Sequence, residues 1–336
     1  MNAVLQPQRR IPEWQSALTA SFTRPAELLA FLELPADLPG LKLAEVRDFP
    51  LRVPRGFANR MQKGRADDPL FLQVWPSLRE RALSPDFSID AVGDLTRLKA
   101  GGLIHKYHGR ALVIATGACA INCRYCFRRH FPYGETRASR NHWHALLAEL
   151  RADDTIEEVI LSGGDPLSLS DDKLAELVEG LDKIPHLKRL RLHTRQPIVL
   201  PERVDDALLD WLTATRLQTV IVLHANHANE LDNEVAAAMM QLKLAGIPLL
   251  NQSVLLAGIN DTLDVQKALS ERLFEVGILP YYLHLLDRVQ GAAHYEVDEA
   301  AGQALMRELS GHLPGYLVPR LVREVAGKPA KTWVHW

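Results

Sequence analysis

The sequence has few cysteines, little net charge and no long apolar run, and each shortage excludes a class of protein. Its three cysteines cannot build the paired disulfide framework of a small secreted domain. A formal net charge of −2 gives no electrostatic reason to expect a nucleic-acid or membrane partner. No signal-peptide core opens the chain, and no apolar stretch is long enough to span a bilayer. We therefore expect a soluble, cytoplasmic protein.

The sequence does contain enough apolar residues, 47%, for a large core, and its pattern changes twice along the chain. Residues 1–100 show short helical patterns broken by prolines, which predict a mostly helical N-terminal extension. Residues 101–290 alternate between β-branched or leucine-rich runs and amphipathic segments, which predicts an α/β barrel core. Residues 291–336 form a C-terminal segment whose last piece has no clear secondary structure.

Six predicted strands and the helices between them define the barrel core. The strands are Ala111–Ala115, Glu158–Leu161, Arg189–His193, Thr219–Leu223, Leu249–Leu255 and Leu279–Leu285. The helices are Asn141–Arg151, Ser170–Leu181, Pro201–Thr213, Asn229–Ala245 and Leu263–Val276. Six such units predict a parallel sheet that is closed or partly closed into a barrel, and we assign it to the partial (β/α)6 type. Functional residues are expected at the carboxyl ends of its strands.

All three cysteines lie in one stretch directly after the first predicted strand. Cys119, Cys123 and Cys126 have the spacing C-x3-C-x2-C. Three thiolates on one tight loop can hold three irons of a four-iron cluster, and the fourth iron then has no protein ligand. The alternative is a zinc site with His130 as the fourth ligand. The strand context and the exclusive use of cysteine favour the cluster.

This spacing, with an aromatic residue before the last cysteine, resembles the motif of radical S-adenosylmethionine (SAM) enzymes. Several blocks further resemble the lysine 2,3-aminomutase family, in family order across residues 100–332. The blocks are His105–Arg110, Cys126–Arg129, Leu161–Leu167, His193–Arg195 and Asn251–Asp261. The resemblance implies an isomerase that converts L-lysine to β-lysine by 2,3-amino migration. It also implies three cofactors, namely a [4Fe-4S] cluster, SAM and pyridoxal phosphate.

The resemblance assigns residues to pyridoxal phosphate. Lys331 lies where the family attaches this cofactor, so it is the predicted catalytic residue. Lys328 is a competitor, because the glycine-rich approach to the lysine is only partly kept in this chain. Arg110 matches the arginine that holds the cofactor phosphate, and Tyr107 matches an aromatic residue beside the cofactor. His284 stands where the family has a tyrosine, which leaves its role open.

The glycines after the second predicted strand are candidates for the SAM site. Gly163 and Gly164 permit close approach of the backbone to a ligand. Together with Asp165 they resemble the element that binds the methionine amino group in this superfamily. A plain strand-to-helix turn is the alternative. His224 and Gln252, at the fourth and fifth strands, are further predicted cofactor-binding residues.

The resemblance also assigns three substrate-binding residues. Arg128 matches the residue that pairs with the substrate carboxylate, unless it belongs to a solvated basic run with Arg129 and His130. Asp287 and Glu324 match the two acids that receive the distal ammonium, although the family has the shorter aspartate at the second position. The alternative for Glu324 is an ion pair with Arg320 or Arg323.

The chain lacks the additional cysteines and the longer C-terminal part of other lysine 2,3-aminomutases. It looks more like the short branch that supplies (R)-β-lysine for the modification of translation elongation factor P. That likeness implies a one-electron reductant such as flavodoxin or ferredoxin, and a ligase that receives the product. Two alternatives remain. One is a radical SAM enzyme acting on another amino acid, a peptide or RNA, and the other is a non-catalytic metal-binding adaptor.

Overall fold

The structure is a computed structural model that describes residues 11–44, 49–134 and 140–336. Within these ranges, nine strands lie side by side in chain order in one sheet. They are β1 (Leu103–Tyr107), β2 (Arg110–Thr116), β3 (Glu158–Gly163), β4 (Arg189–Thr194), β5 (Gln218–Leu223), β6 (Leu249–Val254), β7 (Leu279–His284), β8 (Arg320–Arg323) and β9 (Thr332–Trp333). Strands β2 to β8 run parallel, and β1 and β9 join the two edges antiparallel.

The helices flank this sheet. They are α1 (Glu13–Thr19), α2 (Pro25–Phe31), α3 (Leu41–Ala44), α4 (Arg55–Asn59), α5 (Pro69–Leu72), α6 (Arg140–Ala152), α7 (Asp171–Asp182), α8 (Gln196–Val199), α9 (Asp206–Ala214), α10 (Asn233–Leu244), α11 (Leu263–Glu275) and α12 (Glu299–His312). Helices α6 to α11 lie between successive parallel strands, and α12 connects β7 to β8. Successive βα units of this kind bring the carboxyl ends of the parallel strands to the same end of the sheet.

The predicted α/β barrel class is confirmed, and all six predicted strands and five predicted helices are present. Two helices begin later than their sequence patterns do. Helix α9 starts at Asp206 because the Asp205 carboxylate accepts a hydrogen bond from the Leu208 amide at 2.9 Å. Helix α10 starts at Asn233 because Asp232 caps the Val235 amide at 3.0 Å.

Three strands were not predicted, and they extend the sheet beyond six units. Strand β8 is a seventh parallel strand, paired with β7 through Leu283 and Leu321. Strand β9 has two residues, and it pairs with β8 through Val322 and Trp333. This last pairing returns the C-terminal segment to the sheet directly after Lys331, so the sequence just before the chain end has a defined position.

The three predicted domains pack closely on one another across both predicted boundaries. The apolar cluster of the N-terminal helices, which includes Trp14 and Phe57, also contains Ile121 of the cysteine loop. At the other boundary, Met306 of α12 packs in one cluster with Leu283 of β7. The division into 1–100, 101–290 and 291–336 stays a prediction, and residues 1–10, 45–48 and 135–139 lie outside the described residues. None of the helices in the described ranges is both long and apolar enough to cross a membrane.

Candidate functional site

A cavity of about 600 Å³ extends from the carboxyl ends of the parallel strands along one face of the sheet, where Leu112, Ile160 and Arg191 also line it. Every residue that the sequence assigned to a cofactor or to the substrate lines this cavity. These residues are Tyr107, Arg110, Cys119, Cys123, Cys126, Arg128, Gly163, Gly164, Asp165, His224, Gln252, Asp287, Glu324 and Lys331. The competing lysine, Lys328, is exposed, and it is not among the residues that line the cavity.

The cysteine loop forms one wall of the cavity, and the N-terminal helical region holds it in place. The buried carboxylate of Glu80 accepts hydrogen bonds from Arg124 Nε at 2.9 Å and from Arg129 Nη2 at 2.7 Å. The amide of Asn122 donates to the carbonyl of Arg52 at 3.2 Å. The N-terminal region therefore positions the three thiols, a function that the sequence did not predict for it.

Gly163 and Gly164 allow the end of β3 to approach the cysteine loop. A Cβ at Gly163, where φ is +126°, would lie 2.4 Å from the carbonyl oxygen of Thr116. A Cβ at Gly164 would lie 2.4 Å from the carbonyl oxygen of Ala118. Because real side chains do not fit at such distances, both positions require glycine. In this structure the two glycines allow close approach to the backbone of the cysteine loop, and their approach to a ligand stays a prediction.

The side chain of Asp165 is used within the fold. Its buried carboxylate accepts hydrogen bonds from Thr194 Oγ1 at 2.7 Å, from the Arg195 amide at 2.8 Å and from the Gln196 amide at 3.0 Å. These bonds join the ends of β3 and β4. Burial raises the pKa of Asp165, and the four residues that donate to it, which include Leu167, offset part of that rise.

Arg195 reaches the cysteine loop from the end of β4. Its Nη1 donates to Cys123 Sγ at 2.7 Å and to the Tyr125 hydroxyl at 2.7 Å. Its Nη2 donates to Glu230 at 2.8 Å and to Gln73 at 2.7 Å. Sequence reasoning included Arg195 only as part of a family-like block. It assigned no role to the residue, because its acidic partner lies on another strand end.

Lys331 and Glu324 form an ion pair on the opposite wall. Lys331 Nζ donates to Glu324 Oε2 at 2.9 Å, and Lys106 Nζ donates to Glu324 Oε1 at 3.2 Å. Burial opposes ionisation of Glu324, yet the two ammonium groups outweigh it and lower its pKa to about 2. Glu324 thus pairs with the predicted cofactor lysine, while Arg323 pairs with Glu299 at 3.3 Å.

Arg128 is buried rather than part of a solvated basic run. Its Nε donates to Asp94 Oδ2 at 2.8 Å, and its Nη1 donates to Ser162 Oγ at 3.0 Å. The other oxygen of Asp94 pairs with Lys106 at 2.5 Å. Asp94 lies in a segment without helical or strand periodicity, so the sequence offered no signal for its position at the site.

Tyr107 and Arg110 lie together at the Lys331 side of the cavity. The guanidinium of Arg110 stands over the Tyr107 ring, 4.7 Å from its centre. Burial and the neighbouring charge of Glu324 raise the pKa of Tyr107 well above its usual range, so its hydroxyl stays protonated. The two residues can offer one neutral and one cationic donor to an anionic ligand.

Several buried polar atoms of the cavity wall have no hydrogen-bond partner among the described residues. They are His193 Nε2, Gln252 Oε1, His284 Nε2, Asp287 Oδ1, Arg129 Nε and Arg195 Nε. The amide of Gln252 uses its other end to donate to His224 Nε2 at 2.9 Å. Unpaired polar atoms are costly in an interior, and their concentration in one cavity is typical of a site whose partners belong to a ligand.

Asp287 is the acidic member of this unpaired set. Burial, and then the negative charge of Glu324, raise its pKa to about 7. A cationic group placed beside Asp287 would reverse that shift, because an opposite charge favours the ionised carboxylate. The carboxyl group can therefore receive an ammonium group from a ligand.

The donors of the cysteine wall fit an iron–sulfur cluster better than a single ion. Among the described residues, no group of three or more His, Cys, Asp or Glu side chains is placed to hold one metal ion. A cluster does not need such convergence, because each thiolate binds a different iron. His130, the candidate fourth zinc ligand, pairs with the Gln290 carbonyl at 3.0 Å. Burial raises the pKa of Cys126 to about 11, and a bound metal would oppose that rise because metals bind the thiolate form.

The comparison with known proteins agrees with this chemistry. Residues 113–264, which include the cysteine loop and strands β3 to β6, match the model of the radical SAM superfamily. The barrel and its three-cysteine wall thus define a radical SAM enzyme, a class that uses a [4Fe-4S] cluster and SAM.

The relatives identify the family within that class. The chain is 47% identical to L-lysine 2,3-aminomutase of Haemophilus influenzae over 324 residues, 96% of either chain. It is 46% identical to the L-lysine 2,3-aminomutase of Escherichia coli K12, over 95% of this chain and 94% of that one. The match to the Clostridium subterminale enzyme is 33%, over 79% of this chain and 64% of that one. The chain belongs to the lysine 2,3-aminomutase family, whose members are isomerases that also use pyridoxal phosphate.

Proposed function

We propose that this protein converts L-lysine to β-lysine by 2,3-amino migration. The observation that carries the proposal is that one cavity brings the three thiols, Lys331 and the carboxyl of Asp287 together. When bound, the cluster and SAM supply a 5′-deoxyadenosyl radical, and pyridoxal phosphate supplies a conjugated ring that delocalises an unpaired electron.

The cysteine side of the cavity is proposed to hold the cluster and SAM. Cys119, Cys123 and Cys126 would each bind one iron. Gly163 and Gly164 let the end of β3 lie against the cysteine loop, and the methionine part of SAM would lie beside this contact. The pair formed by Gln252 and His224 keeps polar donors and acceptors on the same wall. Asp165 would act by joining the strand ends that carry these groups.

The opposite side is proposed to hold pyridoxal phosphate. Lys331 Nζ would be the point of attachment, and Glu324 holds that amine inside the cavity. Arg110 would pair with the phosphate, as a guanidinium is suited to bidentate contact with phosphate oxygens. Tyr107 would fix the Arg110 side chain through its ring, and it would supply a neutral donor beside it.

The substrate is proposed to lie between the two sides. Asp94 fixes Arg128 through Nε and Ser162 accepts from its Nη1, so that the remaining N–H groups of the terminal nitrogens would bind the substrate carboxylate. Asp287 and Glu324 are the acids of the far wall, and Glu324 is already paired with two lysines, whereas Asp287 Oδ1 has no hydrogen-bond partner among the described residues. A lysine side chain would place its ammonium there, whereas a substrate with an acidic side chain would meet like charges.

We further propose that the product serves the modification of translation elongation factor P in the cytoplasm. The match over nearly the whole length of the two enzymes from Haemophilus influenzae and Escherichia coli supports the assignment to a short branch of the family. In this role the protein would accept an electron from a flavodoxin or a ferredoxin. It would supply β-lysine to a ligase that acts on the factor.

Product analysis tests the proposal. The anaerobically reconstituted protein, incubated with labelled L-lysine, SAM and a reductant, is expected to form β-lysine. The Lys331→Ala variant should lose the visible absorbance of bound pyridoxal phosphate and keep the iron–sulfur absorbance. Lys328→Ala is the matched control, and it should keep both. Unchanged lysine, together with SAM cleavage that depends on a peptide or RNA, would contradict the proposal.

A further inference from the structure

Arg195 contacts a proposed cluster ligand with a charged donor. Its guanidinium is 6% exposed, and Nη1 lies 2.7 Å from Cys123 Sγ. Arginine remains protonated in proteins, so this contact is a charge-assisted hydrogen bond to sulfur. Among the cysteines of the described loop, Cys123 is the one whose sulfur lies within hydrogen-bond distance of a cationic side chain.

The surrounding network prevents the guanidinium from turning away from the sulfur. Glu230, which is 0% exposed, accepts from Nη2 at 2.8 Å, and Gln73 accepts from the same nitrogen at 2.7 Å. Asn226 Nδ2 donates to the Tyr125 hydroxyl at 2.7 Å and to Gln73 at 3.0 Å. Tyr125, Gln73 and Glu230 are thus each fixed by at least one further bond, and they set the direction in which Arg195 donates to Cys123.

This arrangement is expensive for stability alone. Moving two charges out of water carries a large desolvation free energy, and a well-packed apolar pair is often at least as stabilising as a buried ion pair. A buried ion pair is therefore weak evidence for a stabilising role. In addition, Arg195 Nε is buried and has no partner among the described residues. Both features indicate that the position of the charge serves something other than stability.

The charge acts on an electron-accepting group. One-electron reduction adds negative charge to an iron–sulfur cluster, and part of that charge resides on the ligating sulfurs. A cationic donor to such a sulfur favours the reduced form over the oxidised form. We propose that Arg195 raises the reduction potential of the cluster through its hydrogen bond to Cys123 Sγ. The proposal rests on the proposed function, in which Cys123 binds iron.

Substitutions of Arg195 can separate the effect of its charge from its structural support of the cysteine loop. Arg195→Lys keeps the charge and loses the fork, and Arg195→Gln loses both. The double variant Arg195→Gln with Glu230→Gln removes the ion pair and leaves the total charge unchanged. Arg203→Lys is the matched control. Arg203 is also fully buried and ion-paired, with Asp171 at 2.7 Å, but it does not line the cavity.

We would measure the midpoint potential of the reconstituted cluster in a redox titration without lysine, with electron paramagnetic resonance as the readout. The iron and sulfide content of each variant would be measured as well. In Arg195→Gln we expect the reduction equilibrium to become at least tenfold less favourable, which lowers a one-electron midpoint by about 59 mV. The midpoint potential of the double variant should keep part of that decrease. The potential of Arg195→Lys should lie between those of the double variant and the wild type. The potential of Arg203→Lys should equal that of the wild type.

Three results would overturn the proposal. Equal potentials in all variants would assign Arg195 only to holding the loop. Loss of iron in all Arg195 variants but not in Arg203→Lys would lead to the same conclusion. Restoration of the wild-type potential in the double variant would assign the change to the unpaired charge of Glu230. Failure of the wild-type protein to bind iron would instead contradict the proposed function, so the two failures are distinguishable.

Discussion

Glu324 is the acid whose replacement gives the clearest prediction, because it stands between two partly buried ammonium groups. Lys331 lies 2.9 Å and Lys106 3.2 Å from its two oxygens. Glu324→Gln keeps the size of the side chain and removes its charge. Both lysines then remain in the cavity wall without their shared counter-charge, and an unpaired charge in such a place is costly.

The size of the effect follows from the pKa of Glu324, which falls from 4.5 to about 2. Each pKa unit corresponds to about 1.4 kcal/mol, so ionised Glu324 contributes about 3 kcal/mol to folding. The sign follows from the lowered pKa. The contribution is fully present above pH 4.5, where the unfolded side chain is also ionised, and it is lost as the pH falls through about 2. The side chain is 16% exposed, so solvent screening reduces the value little.

Denaturant unfolding of the apoprotein measures the change. At pH 7 the free energy of unfolding should be about 3 kcal/mol lower in Glu324→Gln, and the difference should shrink as the pH falls below 4.5. Glu299→Gln is the matched control, because Glu299 pairs with Arg323 but is 48% exposed, so its loss should cost less than about 1 kcal/mol.

Two outcomes would refute this reasoning. Equal destabilisation by Glu324→Gln and Glu299→Gln would mean that the ion pairs in the cavity contribute no more than surface pairs do. A difference that stays constant from pH 7 down to pH 3 would mean that the ionisation of Glu324 is not the origin of the effect.

Three further predictions concern other parts of the site. Asp287→Asn should raise the KM for L-lysine much more than it lowers kcat. Steady-state kinetics measured below and above pH 7 should show a KM that falls with rising pH in the wild type but not in the variant. The reason is that Asp287, with a pKa of about 7, binds a cation only when ionised. Gly164→Ala should lower the iron content per protein, because its Cβ would meet a carbonyl oxygen of the cysteine loop at 2.4 Å. Gly56→Ala, which has free space around the new Cβ, should leave the iron content unchanged. Glu80→Gln should lower the free energy of unfolding by about 3 to 5 kcal/mol in a denaturant titration, since it leaves two arginines of the cysteine loop without their buried partner.

The fold was predictable where a local pattern was long enough to be read. Six strands and five helices of the core have clear apolar periodicity, and these were predicted. Strands β8 and β9 have four and two residues, which is too short for a reliable alternation. Their conformation depends on pairing with β7 and with each other, and such tertiary pairing is not visible in a local segment.

The same distinction separates the predicted and the missed residues of the site. The cysteine motif and Lys331 were found from spacing and family resemblance. Glu80 and Asp94 were missed, because each pairs with an arginine of the cysteine loop 44 or 34 positions away. For Glu324 the sequence offered the neighbouring arginines as partners, whereas one actual partner, Lys106, lies 218 positions away. Ion pairs between distant segments require the fold before they can be assigned.

The charges of the cavity wall support Asp287, more than Glu324, as the first site for a substrate ammonium. Asp94 already pairs with Arg128 and Lys106, and Glu324 pairs with Lys106 and Lys331. Asp287 alone among these three acids has a buried oxygen without a partner. A substrate that brings one ammonium group therefore completes the set without breaking an existing pair, whereas binding at Glu324 would first require Lys331 to change its partner.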